Sequence, residues 1–151
     1  MLPFFVLVGA FVVLRALGFA GIALLQSWVL CLRGALAAMF LLTASAHWGR
    51  RRPDLVRMVP PVFRHPELLV TLTGIAELAG AIGLLLPQFA PWAAAGLAAL
   101  LLAMFPANVR AAREGLSIGG RAATPLVRRT VLQIVFLAAV LAAGFAPQAQ
   151  R

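Results

Sequence analysis

The stretch Leu68–Leu86, LLVTLTGIAELAGAIGLLL, decides the fold. It carries one charge, Glu77, in 19 residues. About 20 apolar residues at a rise of about 1.5 Å cross a hydrocarbon core of about 30 Å, so this segment reads as a transmembrane helix. Apolar runs of similar length lie around it: Trp28–Trp48, Ala90–Val109 and Arg128–Phe145. Together they predict an all-α membrane protein, an antiparallel four-helix transmembrane bundle. Composition agrees. The 151 residues are 63% hydrophobic and only 11% charged, with a mean hydropathy of +0.99. A soluble domain of this length needs a far more charged surface.

An additional N-terminal transmembrane helix is expected over Pro3–Leu25, with Arg15 near its centre. A central arginine costs about 2.5–3.5 kcal/mol on insertion scales, which the surrounding Phe, Val and Leu offset. The rival reading is a cleaved signal peptide. It wants a basic segment before the apolar run, and no basic residue precedes Arg15. Gly18-Phe19-Ala20 is its weak candidate cleavage site. The expected organisation is therefore an N-terminal transmembrane helix over 1–27, a four-helix membrane domain over 28–147 and a short tail over 148–151.

All 13 basic residues are arginine, a bias typical of a GC-rich bacterial genome. In a soluble protein the net charge of +9 would point to nucleic acid. Here ten of the 13 arginines fall in two connections. Arg50, Arg51, Arg52, Arg57 and Arg64 lie in one, and Arg110, Arg113, Arg121, Arg128 and Arg129 in the other. The turns at Gln26-Ser27 and Pro87–Pro91 are uncharged. The positive-inside rule then places the arginine loops in the cytoplasm, the N-terminus inside and the C-terminus outside, in the inner (plasma) membrane. The partner so implied is the lipid bilayer and not nucleic acid. Within the first loop, Pro53 opens a short helix through Val59, and Pro60-Pro61 ends it. The second loop contains Gly119-Gly120 and Pro125 and reads as irregular.

Polar residues inside apolar spans are expensive and need partners. Counted from the cytoplasmic face, Arg15 is about 18 Å deep, Arg33 about 21–23 Å and Glu77 about 14 Å. Long arginine side chains bring these depths within reach. An ion pair of Glu77 with one arginine is expected, and the second arginine leaves a surplus positive charge that suits an anionic or carbonyl-bearing ligand. The plainer alternative is a structural pair, with the other arginine reaching outward. A second set gathers about 0–8 Å deep: His47, Thr71, Thr73, Asn108 and Gln133. These either hold helices together or line a site. His47 titrates near neutrality and would pass protons to Glu77, unless it only caps its helix. On the Leu68 span, Gly74, Ala76, Gly80, Ala81 and Gly83 form a small-residue face that allows close packing.

Absences narrow the chemistry. The single cysteine, Cys31, excludes a CxxC thiol relay. Cys31 and His47 are 16 residues apart, about 24 Å along one helix, so no shared metal is expected. His47 and His65 alone are a thin basis for haem. No phosphate-binding glycine loop or Ser-His-Asp set is present. Catalytic residues cannot be named.

The run Arg33-Gly-Ala-Leu-Ala-Ala-Met-Phe-Leu-Leu-Thr-Ala-Ser-Ala-His47-Trp48 resembles the first core helix of the DoxX-like bacterial membrane proteins. Asp54-Leu-Val-Arg-Met-Val-Pro-Pro61, Thr73-Gly-Ile-Ala-Glu77 through Pro87, Met104-Phe-Pro-Ala-Asn108 and Gln133 follow in matching order. The resemblance covers about residues 28–145; the Arg15 span is extra to it. It implies a four-helix bundle and an association with redox metabolism, because some DoxX-like proteins are described as thiosulfate:quinone oxidoreductase subunits or as partners of membrane oxidoreductases. Two readings follow. One is a redox-associated subunit, an oxidoreductase subunit if an enzyme at all, that binds a quinone-like or small acidic ligand through Arg33, His47, Glu77, Asn108, Gln133 and Arg15. It would work with a membrane or soluble oxidoreductase partner and hold no covalent cofactor. The other is a non-enzymatic carrier or assembly factor in which the intramembrane ion pair is structural.

Overall fold

Prolines and one serine mark where the helices begin. Proline suits the first turn, where its missing N–H has no partner to lose. In the computed structural model, which describes residues 1–122 and 124–146, Pro3, Pro53, Pro66 and Pro91 stand in the first turns of α1 (Leu2–Phe19), α3 (Arg52–Met58), α4 (Pro66–Leu85) and α5 (Ala90–Arg113). Ser27 caps α2 (Trp28–Ser45), accepting from the Leu30 N–H at 3.5 Å. The last helix, α6 (Leu126–Phe145), follows Pro125. Five of the helices, α1, α2, α4, α5 and α6, are long and apolar enough to cross a membrane. The expected 148–151 tail, like residue 147, lies outside the described residues.

Three boundaries differ from expectation. The N-terminal helix stops at Phe19, not near Leu25. Gly21 takes a positive φ of 108°, and a 3-10 turn at Ala23–Gln26 lays the Leu25 carbonyl against Gly18, where any Cβ would collide. Arg15 therefore sits one turn from a helix end and not at mid-span. The α5 helix runs on to Arg113, four residues past its apolar stretch. The second arginine loop is not irregular throughout. It forms a small antiparallel hairpin of β1 (Ser117–Ile118) and β2 (Arg121–Ala122), with Ile118 opposite Arg121. Gly119 and Gly120 turn it with φ of 60° and 74°, the double positive φ that a tight hairpin of this kind requires.

Packing puts α2 at the centre. It contacts α1, α4 and α6; α4 contacts α5, and α5 contacts α6. These contacts join α2, α4, α5 and α6 in a ring, with α1 mainly against α2. Phe40, Leu36 and Met39 of α2 are fully buried with Leu84, Leu97 and Val140 from the neighbouring helices. Small residues set the spacing. A Cβ on Gly80 would lie 2.5 Å from Leu97 Cδ2, and one on Gly83 would lie 2.8 Å from Ala93 Cβ. Gly144 meets Ala94 of α5 in the same way. Close approach of this kind replaces the hydrophobic driving force that helices lack in lipid.

Candidate functional site

The two arginine loops mark one end of the helices, where α2 and α5 finish and α4 and α6 begin. The polar residues of four helices meet there. On α4, Val70, Gly74 and Glu77 recur at spacings of three and four and so share one face. Gly74 lets the end of α2 come against that face: a Cβ there would lie 2.7 Å from His47 Cβ and 2.8 Å from its Cγ. The His47 ring lies over the glycine with Nδ1 at 2.6 Å from the Val70 carbonyl oxygen. A carbonyl only accepts, so Nδ1 carries the hydrogen. That leaves Nε2 towards Glu77, 3.7 Å from Oε1. This is ion-pair range and longer than a hydrogen bond. Arg52, opening α3, donates to the His47 carbonyl at 2.8 Å and to Thr71 Oγ1 at 3.0 Å, tying the α2 end to α4.

Both members of the pair are buried, at 3% exposure for His47 and 5% for Glu77. Among the described residues, Glu77 Oε2 has no hydrogen-bond partner. Buried carboxylate oxygens are normally satisfied, so this atom marks a place where something polar belongs. Glu77 lines a cavity of about 290 Å³. Thr43, Glu77, Asn108, Arg129 and Gln133 form its polar wall, and Phe4, Phe40, Leu132 and Phe136 the apolar one. Arg129 and Gln133, four residues apart on α6, share a face. Arg129 donates through Nη1 to Asn108 Oδ1 at 2.6 Å and through Nε to the Thr124 carbonyl at 3.2 Å. Gln133 donates to the Leu101 carbonyl at 2.7 Å. That carbonyl lies beside the stretch of α5 where Pro106 supplies no N–H.

A second cavity, about 310 Å³, opens between α3, α4 and α5. Met58, Phe63 and Met104 give it an apolar lining, with His47, Thr73 and Asn108 at its polar corner. His47 thus touches one cavity and Glu77 the other, and their contact stands in the wall between. Above this end, Asp54 accepts from the Gly119 N–H at 2.7 Å and from Arg57, joining α3 to the hairpin. These bonds, the Gly119 amide first and then Arg57, hold the Asp54 carboxyl below its usual range.

Of the six residues singled out from the sequence, the structure brings His47, Glu77, Asn108 and Gln133 together. Arg33 and Arg15 are elsewhere. Arg33 is buried and donates from Nε to the Ala143 carbonyl at 2.8 Å, near the end of α6. Arg15 donates to the Leu25 and Gln26 carbonyls at 3.3 and 2.7 Å and lies 4.6 Å over the Phe19 ring. The expected contact of Glu77 with an arginine is replaced by its contact with His47. The reason is axial offset. His47 lies level with Gly74, six residues or about 9 Å into α4 from Leu68. Glu77 is then only one turn beyond His47, whereas Arg33 lies 14 residues beyond His47 along α2, about 21 Å, and so about 16 Å past Glu77.

Arg129, which the sequence places in a topology-setting loop, also lines the cavity. Its spacing of four from Gln133 was the available signal. A family model described as a domain of unknown function, DUF8561, matches residues 36–144. That span contains His47, Glu77, Asn108, Arg129 and Gln133 and leaves out Arg15 and Arg33. No curated protein and no solved structure matches.

Proposed function

The chain belongs to the DUF8561 family, defined by a domain of unknown function, and from the site itself we propose that it is a multi-pass membrane protein holding a quinone-like or small acidic ligand between its helices. In this reading α2, α4, α5 and α6 form an antiparallel transmembrane bundle, with α1 as a fifth span. The arginine loops face the cytoplasm of a bacterial inner membrane, and the ligand cavity lies at that side. Reporter fusions at residues 49–66 and 111–127 both read cytoplasmic if this is right; a periplasmic signal from either reverses it.

One observation carries the ligand assignment: Glu77, whose Oε2 is buried with no hydrogen-bond partner among the described residues, lines the same cavity as Arg129. Pockets for small amphiphiles are mostly apolar, with a few converging polar groups that fix orientation. Phe4, Phe40, Leu132 and Phe136 provide the apolar body here. Arg129 and Asn108 are placed to hold a carbonyl or carboxylate head, and Glu77 to accept or donate a proton beside it. A quinone in that position would supply reversible electron and proton chemistry. Its redox partner would be a separate oxidoreductase, an association suggested by the DoxX-like resemblance of residues 28–145.

The test is extraction. Wild-type protein purified in mild detergent is expected to release a quinone or an organic acid detectable by mass spectrometry. Arg129→Ala should lose it, and Arg33→Ala should keep it. An extract identical to that of a detergent blank sinks the ligand reading. A second reading is favoured by the bonds that Arg52, His47 and Val70 make between α2, α3 and α4. They suit a non-enzymatic carrier or assembly factor in which His47–Glu77 is a structural pair. A blank extract, with a lowered unfolding midpoint for Glu77→Gln, would support it.

A further inference from the structure

Unbalanced charge is costly in a cavity walled by Phe40, Leu132 and Phe136, because water screens it poorly there. Arg129 brings one positive charge. Among the described residues its hydrogen-bond partners, Asn108 Oδ1 and the Thr124 carbonyl, are neutral. Glu77 lines the same cavity. With Glu77 ionised and His47 neutral, the pair carries one negative charge and offsets Arg129. An anion settling against Arg129 upsets that balance by one negative charge. One proton on the pair restores it, whether as imidazolium beside carboxylate or as imidazole beside carboxylic acid.

We propose, on the strength of the ligand reading above, that the cavity takes up an organic anion together with one proton, which the His47–Glu77 pair holds. The proton comes from solvent and settles on His47 Nε2 or on the Glu77 carboxyl; no other bond is made or broken. The Nδ1–H bond to Val70 keeps Nε2 turned to Glu77. Because His47 and Thr73 also line the second cavity, the pair stands between that cavity and the ligand.

The other charged groups around the pair are bonded elsewhere, exposed or distant. From α3, Arg52 is bonded to the His47 carbonyl and Thr71. From α4, Glu67 is exposed at the first turn. From α5, Arg110 is turned to the Val59 carbonyl and Glu114. From α6, Arg129 is the cation already counted. On α2 the other ionisable groups, Arg33 and Cys31, lie at the far end. Ahead of α1, Met1 lines the cavity and is 46% exposed, so a charge on its α-amino group is largely screened by water.

The experiment is calorimetric titration of detergent-solubilised full-length protein with 2-naphthoate at neutral pH, in two buffers of different ionisation enthalpy. The difference in heat counts the protons taken up. Wild-type protein should take up about one proton per naphthoate bound. Glu77→Gln should still bind but take up close to none. A Gly-Ser extension of the N-terminus, which moves the Met1 amine away, should leave the wild-type count unchanged. Binding to wild type without proton uptake overturns the inference while leaving the ligand reading intact, and this needs no variant to fold. Unchanged uptake in Glu77→Gln, or loss of uptake on the N-terminal extension, assigns the proton elsewhere and also overturns it. No naphthoate binding to wild type overturns the anion reading of the cavity and this inference with it.

Discussion

The two ends of the helices treat their polar residues in opposite ways. At the end opposite the arginine loops, Arg15, Arg33 and Cys31 each donate to a backbone carbonyl: Leu25 and Gln26, Ala143, and Leu25 again. These bonds satisfy carbonyls of the turn between α1 and α2 and of the last turn of α6. At the arginine-loop end, His47, Glu77, Asn108, Arg129 and Gln133 approach one another across four helices and border two cavities. Arg33 and Glu77 are buried to a similar degree, at 3% and 5% exposure, and burial alone does not separate them. What separates them is whether the group spends its bonding capacity on the backbone. Arg33 donates to a carbonyl. Glu77 lines a cavity and keeps a buried oxygen with no partner among the described residues.

The strongest way to break this contrast is to push the loop end apart. Gly74→Val places a branched side chain where even a Cβ lies 2.7 Å from His47. Overpacking of this kind costs about 3 kcal/mol. The unfolding midpoint in detergent should fall sharply, and the His47–Glu77 contact should be lost. An unchanged midpoint would mean that α2 and α4 are not held this closely.

Arg33→Ala tests the opposite end. It strands the Ala143 carbonyl and removes a buried side chain, at a cost of about 2 kcal/mol. Stability should drop while naphthoate binding and proton uptake stay as in wild type. If either changes, the two ends are not separate in function.

The smallest effect concerns the cover over the loop end. Asp54 has a lowered pKa in the folded chain, so its contribution is present above the ordinary carboxylate range and is lost as pH falls through the folded value, below that range. At pH 6, Asp54→Ala should speed hydrogen exchange of the Gly119 amide, with little change in overall stability. Wild type should come to resemble the variant only in acid below the usual carboxylate range. Equal exchange at pH 6 would show that the Asp54–Gly119 bond does not hold the hairpin.

Much of the architecture was legible in the sequence because hydropathy is a property of each segment by itself. Five apolar runs became five helices of spanning length. Pro53 stands in the first turn of α3, and Pro60-Pro61 follows its end, as their missing N–H dictates. The small-residue face of α4 was also visible, and Gly74, Gly80 and Gly83 became its close contacts. The rule that polar groups in apolar spans need partners picked out His47, Glu77, Asn108 and Gln133, which the structure brings to one end of the helices. Who partners whom did not follow. Depth counted separately along each helix assumed that the helices start level, and a slip of six residues exchanged Arg33 for His47 as the group beside Glu77.

The chain by itself therefore determined which segments are apolar helices, where they start and which polar residues they enclose. Only the tertiary structure decided the offset between α2 and α4, and with it the His47–Glu77 pair and the meeting of Arg129 with Asn108. Offset is set by packing across helices, through Gly74 under His47 and Gly80 under Leu97. No count along a single helix contains it.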